Sequence, residues 1–144
     1  MNAMQKLCEI LNITLFMFNC RRTKCIMNVH HFDSNFNCLD FSGDCWGIEL
    51  TKNQVYDIEE LLLKNAPNTS LQWFYKYKYK AYEGATVHPY TIEVEIEADS
   101  ITDSDKLLIG EGNTRTEAIA DLLVDYYSEL TDETMAGIKK VLIG

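Results

Sequence analysis

Hydrophobic spacing along the chain switches between the helical and the strand period, and the switches are sharpest after residue 50. Thr51 followed by Gln54 forms a capping box, which predicts a helix from there to about Asn65. That helix is apolar on one side through Val55, Ile58, Leu61 and Leu62, and NAPN stops it. Three strand-like runs come next, over 71–82, 90–98 and 106–111. Thr114 with Glu117 repeats the capping pattern and opens a second helix, with Ala118, Ile119, Leu122, Leu123, Tyr126 and Leu130 at helical spacing. A last helix follows Thr131, apolar through Met135, Ile138, Val141 and Leu142. The order α-β-β-β-α-α predicts an α+β fold: a three-stranded antiparallel sheet with helices packed on one face, which N-terminal strands could extend.

Residues 1–50 read as an N-terminal extension and residues 51–144 as the core domain. In the extension, Met4, Leu7, Cys8, Leu11 and Leu15 predict an amphipathic helix over 1–18. A basic stretch, NCRRTKC, follows it. Two short strand-like runs on either side of SGD then predict a short hairpin within 28–50. Met27 is an alternative start, which would set the first 26 residues outside the core.

The first two core strands carry charge in register with aromatic and aliphatic residues. In WFYKYKYKAY, Trp73, Tyr75, Tyr77 and Tyr79 alternate with Phe74, Lys76, Lys78 and Lys80. In YTIEVEIEAD, Ile92, Val94, Ile96 and Ala98 alternate with Glu93, Glu95 and Glu97. Interleaved tyrosine and lysine is one way to present stacking rings and phosphate-seeking charges to single-stranded nucleic acid. An antiparallel hairpin that sets aromatics beside aliphatics also sets the lysines beside the glutamates, so the row neutralises itself. The expectation is a solvated ion-pair ladder, with the tyrosines turned into the core.

Composition places the chain among globular proteins, with 47% hydrophobic and 24% charged residues in 144. Net charge is −9, and residues 1–52 balance at five basic and five acidic, so all the excess lies after Lys52. Such a surface repels phosphate backbones and anionic lipid and attracts basic protein surfaces. No segment reads as a secretory signal or a membrane span: Glu9 and Asn12 interrupt LCEILNITLFMF. The odd count of five cysteines does not read as a disulfide framework, and the expected location is the reducing cytoplasm of a host cell. Cys20, Cys25, Cys38 and Cys45 could form a metal set, but four and six residues separate the members of each pair, against the two to four usual for zinc. Buried thiols are the preferred reading, with no metal and no cofactor.

Three constellations remain. Glu117, Asp121, Asp125 and Glu129 recur every four residues opposite the apolar stripe, a negative ridge that could dock on a basic protein partner. The turn GEGNTRT could offer backbone N–H groups to an anion, although it lacks a P-loop lysine and carries Glu111. The histidines His30, His31 and His88 join no pattern that supplies nucleophile, base and stabiliser, so no enzyme is expected.

Residues 53–130 resemble a double-stranded-RNA-binding domain in element order. EGATVHPY, with Gly84 and His88, is similar to that family's loop between its first two strands. GEGNTRTEAIADLL, with Gly110, Gly112, Thr114, Ala118 and Ala120, is similar to its strand-to-helix turn. The resemblance implies RNA contact through His88, Gly110, Gly112, Thr114 and Arg115. The positions of its phosphate clamp read Arg115, Thr116 and Ile119, a single cation, and the helix continues acidic. The turn also resembles small α-β-β-β-α proteins of phages and toxin–antitoxin systems. The expected function is a non-catalytic acidic module of a phage or mobile element that binds or inhibits a basic protein partner. The alternatives are a double-stranded-RNA binder and a binder of small anionic ligands.

Overall fold

The chain opens with α1 (Ala3–Ile10), which buries Met4, Leu7 and Cys8. A computed structural model describes residues 3–13, 15–20, 29–33, 48–75, 89–98 and 104–143. The helix predicted over 1–18 ends eight residues early. Asn12 takes a φ of 55°. Its N–H bonds Glu9 O at 3.1 Å and the Ile13 N–H bonds Cys8 O at 2.9 Å, the paired bonds of a left-handed helix stop. Ile13, Leu7 and Cys8 are all buried, which adds the apolar contact that accompanies this stop.

Beyond that stop the chain enters β1 (Leu15–Cys20), which pairs antiparallel with β2 (Val29–Asp33) and β3 (Ile48–Glu49). Among the described residues the sheet order is β2-β1-β3, with β1 between the other two. Residues 34–47, which hold most of the hairpin expected within 28–50, lie outside the described residues. The strand richest in aromatic and aliphatic residues, LFMFNC, takes the centre, and a two-residue strand takes an edge. The SGD turn lies outside the described residues.

Leu50 connects this sheet to the rest, its N–H donating to the buried Thr116 Oγ1 at 2.8 Å. Helix α2 (Lys52–Lys64) starts on the expected capping box: Thr51 Oγ1 accepts from Gln54 N–H at 3.0 Å, and Gln54 Oε1 accepts from Thr51 N–H at 2.9 Å. It buries Val55, Ile58 and Leu62.

The strands β4 (Thr69–Tyr75), β5 (Tyr90–Ile96) and β6 (Lys106–Gly112) form the expected three-stranded antiparallel sheet, in the order β4-β5-β6. The N-terminal strands make a sheet of their own rather than extending this one. Its inner face carries Leu71, Trp73, Ile92, Val94 and Leu108 into the core.

Helix α3 (Arg115–Tyr126) lies over that face, and two glycines set how close it comes. A Cβ on Gly110 would stand 2.2 Å from Ala118 O, and one on Gly112 would stand 2.5 Å from Glu117 Cβ. The glycines of GEGNT therefore serve helix-on-sheet packing. Helix α1 packs on α3, and α4 (Asp132–Ile143) packs on α2 and β1. The buried cluster crosses the boundary drawn at residue 50, since Met4, Leu7, Cys8, Leu11 and Ile13 join it with Ile119, Leu123, Ile138 and Leu142. Among the described residues no helix is long and apolar enough to cross a membrane.

Candidate functional site

Strand register decides what the charged residues of this sheet meet. Glu93 lies opposite Gln72 on β4 and Ile109 on β6, and Glu95 lies opposite Ser70 and Leu107. The parity expected from the sequence is correct: the glutamates share a face with Phe74 and not with Trp73. The offset is not the one a Lys–Glu ladder needs, because every cross-strand partner of Glu93 and Glu95 is uncharged. Turn geometry sets register independently of charge pattern, and a shift by an even number of residues preserves faces while changing every partner. Lys76, Lys78, Lys80, Tyr77 and Tyr79 lie outside the described residues. Tyr75, expected in the core, is 62% exposed. It sits on the last described rung, opposite Tyr90, which in turn faces the side-chain-less Gly112, so little covers it. The Tyr75 and Tyr90 rings meet at 5.0 Å between centroids, tilted by 59°.

Among the described residues, the outer face of β4–β5–β6 therefore joins acids that have no cation opposite them to exposed apolar surface. Its rungs read Ser70–Glu95–Leu107, Gln72–Glu93–Ile109 and Phe74–Thr91–Glu111. Leu107 is 48% and Phe74 41% exposed. Phe74, Leu107 and Ile109 are site residues that sequence reasoning did not single out, and Glu111 entered it only as a charge opposing an anion at the turn. KLLIGEG reads as an apolar strand, and only its pairing shows that Leu107 and Ile109 point away from the helices while Leu108 points in.

The acidic row of α3 runs back along the β6 edge of this face. Glu117 Oε2 accepts from Asn113 N–H at 2.8 Å, and Thr114 caps the helix by accepting from Glu117 N–H at 3.1 Å. Asp121 Oδ2 accepts from Glu111 N–H at 3.0 Å, on the β6 backbone. Glu129 is not on α3: the helix ends at Tyr126, a 3-10 turn carries Tyr127–Glu129, and Glu129 pairs with Lys106 at 2.6 Å. Asp125 is exposed and takes no partner among the described residues. Of the row, Asp121 holds α3 to β6, Glu117 closes the turn before the helix and Glu129 pairs with β6 from the turn after it. Three of the four acids are thus engaged within the fold and shield a strand edge that could otherwise template pairing.

The residues proposed for RNA or anion contact are dispersed into structural roles. Gly110 and Gly112 are covered by α3, and Thr114 is the helix cap. The Arg115 guanidinium lies 5.4 Å from the centroid of the Trp73 ring, a cation–π arrangement. Trp73 Nε1 is buried without a hydrogen-bond partner among the described residues. His88 lies outside the described residues. The Glu117 carboxylate already occupies the turn where an anion would approach. Of the candidate metal set, Cys20 lies in β1, and Cys25, Cys38 and Cys45 lie outside the described residues. Cys8 is a buried free thiol, and burial pushes it from 9.0 up to about 12.

A cleft of about 630 Å³ lies where the sheet meets the ends of α2 and α4. Its polar groups bond one another. Asn65 Oδ1 accepts from Thr131 N–H at 2.8 Å, Asp105 Oδ1 from Ala98 N–H at 2.8 Å, and Lys106 pairs with Glu129. This is a clamp between chain segments, and the outer face of the sheet is the better candidate site. No protein-family model, no curated protein and no solved structure matches the chain.

Proposed function

We propose that the chain is a non-catalytic binding module that docks on a protein partner with a basic surface, using the acidic outer face of β4–β5–β6. The carrying observation is that Glu93 and Glu95 share one exposed sheet face with no cation opposite either of them, beside Phe74 and Leu107. Charges left uncompensated at a surface steer encounter with an oppositely charged partner, and exposed apolar groups add burial on contact. The net charge of −9 extends the same preference over the whole molecule. The context that fits is an accessory protein of a phage or mobile element, inhibiting a host protein whose basic groove ordinarily holds nucleic acid.

Affinity capture from host lysate with the wild-type chain and with the Glu93→Lys/Glu95→Lys variant tests this reading. The expected outcome is a captured protein that the variant no longer retains. Capture of the same protein by both would remove the outer face from the binding surface.

The element order α2–β4–β5–β6–α3 favours a second reading, a double-stranded-RNA binder. That reading requires a gel shift with duplex RNA that weakens steeply with salt. The acidic reading expects no shift.

A further inference from the structure

We infer that the partner presents a basic amphipathic α-helix, laid lengthwise across the outer face of β4–β5–β6; this rests on the reading of that face as the binding surface. The dimensions fit one helix. Three strands at a spacing of about 4.8 Å set β4 and β6 about 10 Å apart, and seven residues run about 23 Å. A helix with its side chains is about 10–12 Å across, so a single one covers the strip.

The charge spacing fits as well. Glu93 and Glu95 point the same way from β5, about 6.6 Å apart along the strand. Helix positions i and i+4 are about 6 Å apart along the axis, so two Lys or Arg residues one turn apart face both glutamates. Glu111 stands on the next rung, on β6, within reach of a third cation at i+8. Leu107 and Ile109 occupy the same rungs as Glu95 and Glu93, one strand over. A complementary helix therefore carries an apolar stripe directly beside its basic stripe.

Other occupants fit less well. At Glu111, the backbone N–H that an added strand would use on the β6 edge is already bonded to Asp121. A second copy of this chain would set Glu93, Glu95 and Glu111 against the same three acids. Nucleic acid and anionic lipid carry the wrong charge.

The test uses the 144-residue chain and two labelled synthetic peptides of about 18 residues. One peptide carries Lys at every fourth position beside a Leu stripe, and the other is a scramble of the same composition. Binding is read by fluorescence anisotropy and peptide helicity by circular dichroism. The patterned peptide is expected to bind and become helical on binding, at least about tenfold more tightly than the scramble. Glu93→Gln/Glu95→Gln is expected to weaken it by about tenfold or more, and Leu107→Ser alone to weaken it measurably. Thermal unfolding of both variants checks that these surface changes leave the fold intact.

Equal binding of the two peptides, no binding of either, or indifference to the double substitution would overturn the helical partner. Capture with Glu93→Lys/Glu95→Lys then separates the two failures. Capture lost by that variant, without peptide preference, keeps an acidic docking face with a non-helical partner. Unchanged capture removes both.

Discussion

Single residues make the most local tests of this fold. At Gly110 an added methyl would meet Ala118 O at 2.2 Å and Leu122 Cβ at 2.6 Å. Neither is the flexible end of a long side chain, so Gly110→Ala must push α3 off β6. The expected loss is about 1–3 kcal/mol, measured by chemical denaturation. At Asn12 the φ of 55° costs an alanine more than it costs asparagine, and costs glycine least. Asn12→Ala should lower stability by about 1 kcal/mol, while Asn12→Gly should hold or raise it. Cys8 supplies a pH test. Its folded thiol is raised from 9.0 to about 12, so the unfolded chain ionises first as pH rises. The stability that the neutral buried thiol contributes is fully present below about pH 9 and drains away between about pH 9 and 12. A thiol reagent at neutral pH should leave Cys8 unmodified until the protein unfolds.

At the scale of elements, the connections between the two sheets matter more than either sheet alone. The Leu50 N–H to Thr116 Oγ1 bond is buried and joins the end of the first sheet to the start of α3. Thr116→Val keeps the shape and removes the acceptor, leaving a buried N–H without a partner. The expected cost is about 1–3 kcal/mol in denaturant unfolding, more than removal of a surface hydroxyl would cost. The acidic row of α3 belongs to the same scale. Asp121 on the Glu111 N–H ties α3 to the edge strand, and Glu117 closes the turn into the helix through the Asn113 N–H. Glu129, in the 3-10 turn that follows α3, pairs with Lys106 at the start of β6. The exposed Lys106–Glu129 pair contributes little to stability by itself. The like charges mainly deter pairing with another strand.

At the scale of the whole molecule, one buried cluster unites both sheets and the helices between them. Leu7 on α1, Ile58 on α2, Ile119 and Leu123 on α3, and Ile138 and Leu142 on α4 are all essentially inaccessible to solvent. Leu7→Ala is the informative truncation, because residues 1–50 could be read as an extension. Its position in the shared core predicts a loss of about 2–5 kcal/mol, seen as a single cooperative transition at lower denaturant concentration. An independent N-terminal unit would instead unfold separately and leave the main transition in place.

Local chemistry was enough to write down much of this architecture. The Thr51–Gln54 box, the Thr114 cap, the strand-to-helix turn and the α-β-β-β-α-α order after residue 50 follow from hydrogen bonds and periodicities that span a few residues. So does the assignment of each strand residue to a face, because the strand period is two. Partner choice across the chain was not legible in this way. YTIEVEIEAD shows which side Glu93 and Glu95 take, but only the register places them against the uncharged Gln72, Ser70, Ile109 and Leu107. LFMFNC could continue a helical stripe until Asn12 turned the chain and two distant strands paired with it. The acidic row looked free by its helical spacing, but Glu117 bonds the turn just before the helix, and the approach of β6, permitted by two glycines, engages Asp121 and Glu129. Face and element are set by neighbours a few residues away; charge balance and exposure are set by segments that meet only when the chain has folded.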